Sequence, residues 1–204
     1  FREAAAFPLV FLTAYQMLAR RARIHEGETI LVLGAGSGVG SAAIQIARLH
    51  NCRVIATAGT DEKLEMATKL GADHVINHAS DEIHEGVREF TKGWGADVVV
   101  EHVGEATWKS SLRSLARGGR LVTCGATTGP RVEINLRDLF WKQQSILGST
   151  MGDLSSFRKI TKLLQEGRVK PVLDRTFPMS AVREAHKYLE ERKQFGKVVL
   201  VPDS

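Results

Sequence analysis

Short, almost purely apolar runs alternate along this chain with longer segments in which apolar residues recur at helical spacing. The runs are Thr29–Leu33 (TILVL), Arg53–Thr57 (RVIAT), His74–Asn77 (HVIN), Asp97–Glu101 (DVVVE), Arg120–Cys124 (RLVTC) and Ser145–Ser149 (SILGS). After the first run, Ala42, Ile44, Ala47 and Leu49 fall on one helical face. Further helices are predicted over Asp61–Leu70, Asp81–Thr91, Thr107–Ala116 and Leu136–Gln143. Asp61 stands where a carboxylate caps a helix, and Gly71 where glycine ends one. Gly118-Gly119 is expected to stop the helix before Arg120. Apolar runs this short, without polar alternation, belong to strands buried on both faces. The alternation therefore predicts an α/β fold, a doubly wound parallel sheet of six core strands. In such sheets ligands lie outside the carboxyl ends of the strands.

The first strand runs into Gly34-Ala-Gly-Ser-Gly-Val-Gly40, with glycine at 34, 36, 38 and 40. This is not strict GxGxxG, because the sixth place counted from Gly34 holds Val39. The order of strand, glycine turn and helix is nonetheless that of a dinucleotide site. Glycine lets backbone approach a ligand closely, and the helix presents unpaired amides and a positive dipole end to a pyrophosphate. Ser37, Gly38 and Val39 are placed nearest that group.

Composition narrows the classes. With 204 residues the chain holds one good core and room for a smaller appendage. The formal charge of +5 raises the question of nucleic acid. Cations are mixed with acids, as in Asp61-Glu62-Lys63 and Glu190-Glu191-Arg192-Lys193, so a solvated surface is expected and no nucleic-acid partner. No apolar stretch spans a bilayer, and FREAAAFPLV is not a signal peptide. The chain lacks an initiator Met and is read as a fragment or processed chain. Cys52 and Cys124 are far apart, as in a reducing, cytoplasmic setting. The seven histidines form no HxxxH or HExxH, so no metal ligand is assigned.

The coenzyme type turns on the end of the second strand. An NAD site places an acid there for the ribose hydroxyls, but the sequence is Ile55-Ala-Thr-Ala-Gly-Thr60. This neutral loop leaves space for a 2′-phosphate, with Thr60 to donate a hydrogen bond and Lys63 as a point charge. NADP is favoured. Two alternatives stand beside it: Lys63 is a solvated helix lysine paired with nearby glutamates, or Asp61 bends back onto the ribose and restores NAD.

Taken in order, a set of phrases resembles the cofactor-binding half of the medium-chain dehydrogenase/reductase superfamily, in the branch of quinone reductases and zinc-type alcohol dehydrogenases. They are Leu12-Thr-Ala-Tyr15, Glu26-Gly27-Glu28 before LVLGAGSGVG, Ala67-Thr-Lys-Leu-Gly-Ala-Asp73, Val75-Ile-Asn77, Gly95-Ala-Asp-Val-Val, Gly119-Arg-Leu-Val122, Leu147-Gly-Ser149 and Phe195-Gly-Lys-Val-Val-Leu200. Cys124-Gly-Ala-Thr-Thr-Gly129 and Gly148-Ser-Thr-Met-Gly152 look most like the alcohol dehydrogenase-like members.

The resemblance covers essentially the whole chain and implies a preceding catalytic domain. Residues 1–22 would link to it, 23–169 would form the dinucleotide-binding domain, and 170–204 would pack back on it. Zinc would enter only through ligands of that other domain. Phe1–Phe11 contains no cysteine, and its one acid, Glu3, is read as structural.

Thr13 would lie beside the nicotinamide. His102, Val103 and Gly104, with Cys124, Gly125 and Ala126, would flank the ribose and nicotinamide. Gly148, Ser149 and Thr150 would offer backbone to the carboxamide. His78 is either an adenine-stacking group or a surface histidine, and Lys197 either reaches the pyrophosphate or is a plain edge-strand lysine. No catalytic acid or base is assigned.

The implied activity is hydride transfer involving an alcohol, aldehyde, quinone or activated alkene. A non-catalytic NADPH sensor and an S-adenosylmethionine-dependent methyltransferase are the rival classes. A homodimer is expected through the outer strand at 145–150.

Overall fold

The computed structural model describes residues 1–203. Six parallel strands form the main sheet: β1 (Thr29–Val32), β2 (Arg53–Ala58), β3 (His74–Asn77), β4 (Ala96–Glu101), β5 (Leu115–Thr123) and β6 (Ser145–Gly148). Their spatial order is β3-β2-β1-β4-β5-β6, which reverses beside β1 and opens the crevice there. Preceding the sheet are α1 (Arg2–Ala6) and α2 (Pro8–Tyr15), and α2 continues as a π-helical segment over Gln16–Ala22. Between the strands lie α3 (Gly38–Leu49), α4 (Asp61–Lys69), α5 (Ile83–Phe90), α6 (Glu105–Ser114) and α7 (Leu136–Trp141). After β6 come α8 (Leu154–Gln165), β7 (Leu173–Pro178), a 3-10 turn, α9 (Val182–Glu190) and β8 (Lys197–Val201). Strands β7 and β8 pair in parallel as a separate two-stranded sheet.

Alternation along the strands divides the core between the two faces. Ile30, Val32, Val54, Val98 and Val100 pack with Ile44 of α3 and Ile160 of α8. Leu31, Leu33, Ile55 and Val99 pack on the other face with Ile83 and Val87 of α5 and Trp108 of α6. Burial on both faces explains why these strands read as unbroken apolar runs.

Two aspartates satisfy amides at the strand starts. Asp97 accepts from the Thr29 amide at 2.8 Å and Asp73 from the Val54 amide at 2.7 Å. Arg120 of β5 donates through one nitrogen to both Glu28 oxygens, at 2.7 and 2.8 Å, tying the entry of β1 to a strand two places away.

Two local expectations are corrected. The helix predicted over Thr107–Ala116 ends at Ser114, and β5 begins at Leu115, which pairs with Ala96. Gly118 and Gly119 lie inside that strand at a register shift and stop no helix. Gly118 has φ +74°, and a Cβ on Gly119 would stand 3.0 Å from the Ala116 oxygen. The second correction concerns α4: its N-cap is Thr60, whose hydroxyl accepts from the Lys63 amide at 3.4 Å. Asp61 stands one place inside and accepts from the Asn77 amide group at 3.0 Å.

Replacing Asp97 by alanine leaves the Thr29 amide without its acceptor in a buried sheet. The expected loss is about 1–3 kcal/mol of unfolding free energy in urea titration, with Asp97→Asn costing less.

Candidate functional site

The glycine turn is shaped by contacts that exclude side chains. Gly34 leaves β1 with φ +58°, and a Cβ there would lie 3.2 Å from the His102 ring. A Cβ on Gly40 would stand 2.3 Å from the Gly34 carbonyl oxygen, so only glycine lets α3 start this close to the end of β1. Ser37 caps α3, its hydroxyl accepting from the Gly40 amide at 2.8 Å. The first helical amides, those of Gly38 and Val39, have no intrahelical acceptor and carry the positive dipole end.

The chain's far end covers this turn. The Gly196 amide donates to the Gly36 carbonyl at 2.8 Å. A Cβ on Gly36 would meet Lys63 and Phe195, and one on Gly38 would meet Lys197 Cδ and Val10 at 2.7 Å. Lys197 opens β8 with its stem across the amino end of α3. Lys63 pairs with no glutamate; its ammonium donates to the Arg192 carbonyl. His78 is exposed at the end of β3, with Nδ1 3.4 Å from the Thr57 hydroxyl. Burial, then the Arg192 and Lys63 charges, hold its pKa below the ordinary value. Lys63 and Arg192 thus gather positive charge beside Thr60, next to a His78 ring whose protonation they disfavour. Sequence reading missed Arg192, which it placed on a solvated face. Its position depends on the return of the α9–β8 segment, and no local spacing announces that.

The loop after β4 and the start of α6 are held by a buried carboxylate. Glu101 is fully buried. It accepts from the amides of Val103 (2.6 Å) and Gly104 (3.0 Å) and from the hydroxyls of Thr107 (2.8 Å) and Ser111 (2.7 Å). The amide and hydroxyl of Thr128 both donate to the Val103 carbonyl, at 2.7 and 2.8 Å, bringing Cys124, Gly125 and Ala126 against His102, Val103 and Gly104. Neither Glu101 nor Thr128 was singled out in the sequence. Thr107 and Ser111, four apart on α6, were the available signal for Glu101.

His102 lies beneath the glycine turn. Its Nε2 is 2.9 Å from the Leu33 carbonyl and 3.3 Å from the Ser37 hydroxyl. The carbonyl accepts only, so Nε2 carries the hydrogen. Burial is the largest influence and lowers the ring's pKa, outweighing the opposing Glu101 charge.

At the end of β6 the Ser149 amide donates to the Thr123 carbonyl at 2.8 Å. Thr13 is buried on α2, and the neighbouring Leu12 lies where a Cβ on Gly152 would point, 2.6 Å away. The predicted residues thus follow the carboxyl ends of the six strands, except Thr13 on α2 and Lys197, which opens β8. A cavity of about 910 Å³ lies elsewhere, lined by residues of α6 and α7 such as Trp108 and Leu139, and contains none of them. No helix among the described residues is long and apolar enough to cross a membrane.

The model of the zinc-binding dehydrogenase family matches residues 38–166. The chain belongs to that family. It corresponds to the NAD(P)-binding domain of its quinone oxidoreductase and alcohol dehydrogenase homologues, within the medium-chain dehydrogenase/reductase superfamily. Human quinone oxidoreductase is 32% identical over 208 residues, covering 98% of this chain and 63% of that protein. A crystal structure of an NAD-dependent alcohol dehydrogenase superposes with TM-score 0.95 at 45% identity, over 100% of this chain and 59% of the other. The 2-octenoyl-CoA carboxylase reductase CinF, in complex with NADP and 2-octenoyl-CoA, superposes at 0.89 with 31% identity, over 98% and 49%. The chain therefore spans less than two thirds of each of these relatives. Among its described residues no three His, Cys, Asp or Glu side chains gather to hold a metal ion. These residues do not by themselves fit a zinc site, which takes at least three protein ligands.

Because burial lowers the His102 pKa, the unfolded chain binds that proton more readily. The stability tied to the neutral ring is present above the ordinary value of 6.5 and is lost as pH falls below it toward the folded value. His102→Gln should therefore lose less thermal stability than the unaltered chain between about pH 7.5 and pH 5, as read by calorimetry.

Proposed function

We propose that this chain binds NADP in the crevice at the glycine turn and serves hydride transfer to or from a small carbonyl, alcohol or activated alkene. The carrying observation is the turn into α3, without a Cβ at Gly34, Gly36, Gly38 and Gly40, with Lys63 and Lys197 against it and the Arg192 charge acting on neighbouring His78. A turn that a Cβ would fill, with unpaired amides at its lip, suits a pyrophosphate. Lys197 supplies charge beside that group. Lys63, Arg192 and Thr60 suit the 2′-phosphate, and Asp61, engaged by Asn77, is not free to compete for a ribose. His78 flanks the adenine. His102, Val103, Gly104, Cys124, Gly125 and Ala126 line the ribose side, and Thr13 and Gly148–Thr150 the nicotinamide side. Bound there, the nicotinamide ring supplies the hydride chemistry, while the protein orients the ring and excludes water.

In the same reading residues 1–22 and 170–204 meet a catalytic domain, and the protein works in the cytoplasm, in keeping with free Cys52 and Cys124. A second copy joins through β6. That strand forms the sheet edge next to exposed Leu136, Phe140 and Trp141. Light scattering should return twice the chain mass of 22.4 kDa; a monodisperse monomer would remove this part of the reading.

Calorimetric titration tests the coenzyme itself. The unaltered chain should bind NADPH more tightly than NADH. Arg192→Gln should weaken NADPH about tenfold, the effect of about 1.4 kcal/mol, and leave NADH nearly unchanged. Failure of the folded chain to bind either coenzyme overturns the reading.

A further inference from the structure

The helix bearing Thr13 does not end as an α-helix. Over Gln16–Ala22 it widens to π geometry, a distortion that recurs at functional sites. This segment reaches the loop after β6 at two points. Arg21 Nε donates to the Gly148 carbonyl at 2.7 Å, and Arg20 pairs with Asp153 at 3.4 Å. Between them Gly152 packs against Leu12 of the same helix.

The Arg21 contact matters because of the peptide it touches. The Gly148 carbonyl and the Ser149 amide belong to one peptide unit. The amide donates to Thr123 of β5 at 2.8 Å while the carbonyl accepts from Arg21 on the other side. This plane is therefore held at both ends. The next unit, the Ser149 carbonyl and the Thr150 amide, makes no hydrogen bond among the described residues. Its carbonyl and amide face opposite ways, as in any trans peptide, so the Ser149 carbonyl stands as one unpaired acceptor after the carboxyl end of β6. A primary carboxamide carries an NH2 donor that suits it.

We propose that Arg21 is a positioning residue for the nicotinamide end of the site. By pinning the Gly148–Ser149 peptide, it limits where the Ser149 carbonyl stands to accept from the coenzyme carboxamide. The inference rests on the coenzyme reading above and adds to it a residue that touches no part of the coenzyme. Only the two torsions of Ser149 separate that plane from the next, so holding the first narrows where the second can lie.

Two probes isolate the effect in the unaltered chain, Arg21→Met and Arg21→Lys: NADPH, and 2′-phospho-ADP-ribose, which is the same molecule without the nicotinamide. Arg21→Met should bind 2′-phospho-ADP-ribose within twofold of the unaltered chain but NADPH about fivefold more weakly, as suits one lost charge-assisted hydrogen bond at an exposed position. It should also reduce the enhancement of nicotinamide fluorescence on binding. Arg21→Lys, which keeps a donor, should recover most of both. A merely structural role would weaken the two probes alike. Equal weakening, or no change with either probe, overturns the proposal while leaving coenzyme binding intact. If the unaltered chain binds neither probe, the coenzyme reading falls and this inference falls with it.

Discussion

The contact on which the rest depends is the approach of the Gly40 α-carbon to the Gly34 carbonyl. The 2.3 Å left for a Cβ is far inside any van der Waals distance, so the contact is closed to every residue but glycine. Because α3 starts there, its amino end opens directly over β1, at the place where strand order reverses. Move the helix outward by one side chain and its amides no longer face the crevice. The Ser37 cap would be lost as well, since it accepts from Gly40 itself.

Around that contact the crevice walls are set by satisfied polar groups more than by apolar packing. The buried carboxylate of Glu101 gathers four donors from the ten residues that follow it. A buried charge without such partners would be costly, and removing one donor would leave it partly unpaired. Thr128 extends the same logic to the β5 loop. The walls are hydrogen-bonded where they meet the glycine turn, and burial of the ring beneath it, His102, disfavours its charged form.

The sheet was legible because its central strands are buried on both faces and cannot be mistaken for amphipathic segments. The glycine turn was legible because local backbone sterics dictate it. What escaped depended on pairing across the chain. Leu115 and Ala116 continue a helical apolar spacing, yet the pairing of Leu115 with Ala96 draws them into β5. Thr60 and Asp61 are both good caps, and the choice was made by Asn77, sixteen residues on, which engages Asp61. Arg192 sits in a mixed-charge run that looks solvated until the α9–β8 segment folds back over the turn. Glu101 resembled the polar end of a strand, although the spacing of Thr107 and Ser111 held its explanation.

The bond from Gly196 to Gly36 has a consequence for biosynthesis. During translation Gly36 is added 160 residues before its partner at Gly196. The nascent sheet must therefore wait with the roof of its crevice missing until the segment around Gly196 has been added. Emergence of the α9–β8 segment, and not the earlier emergence of the glycine-rich one, sets the moment at which the crevice acquires its final shape.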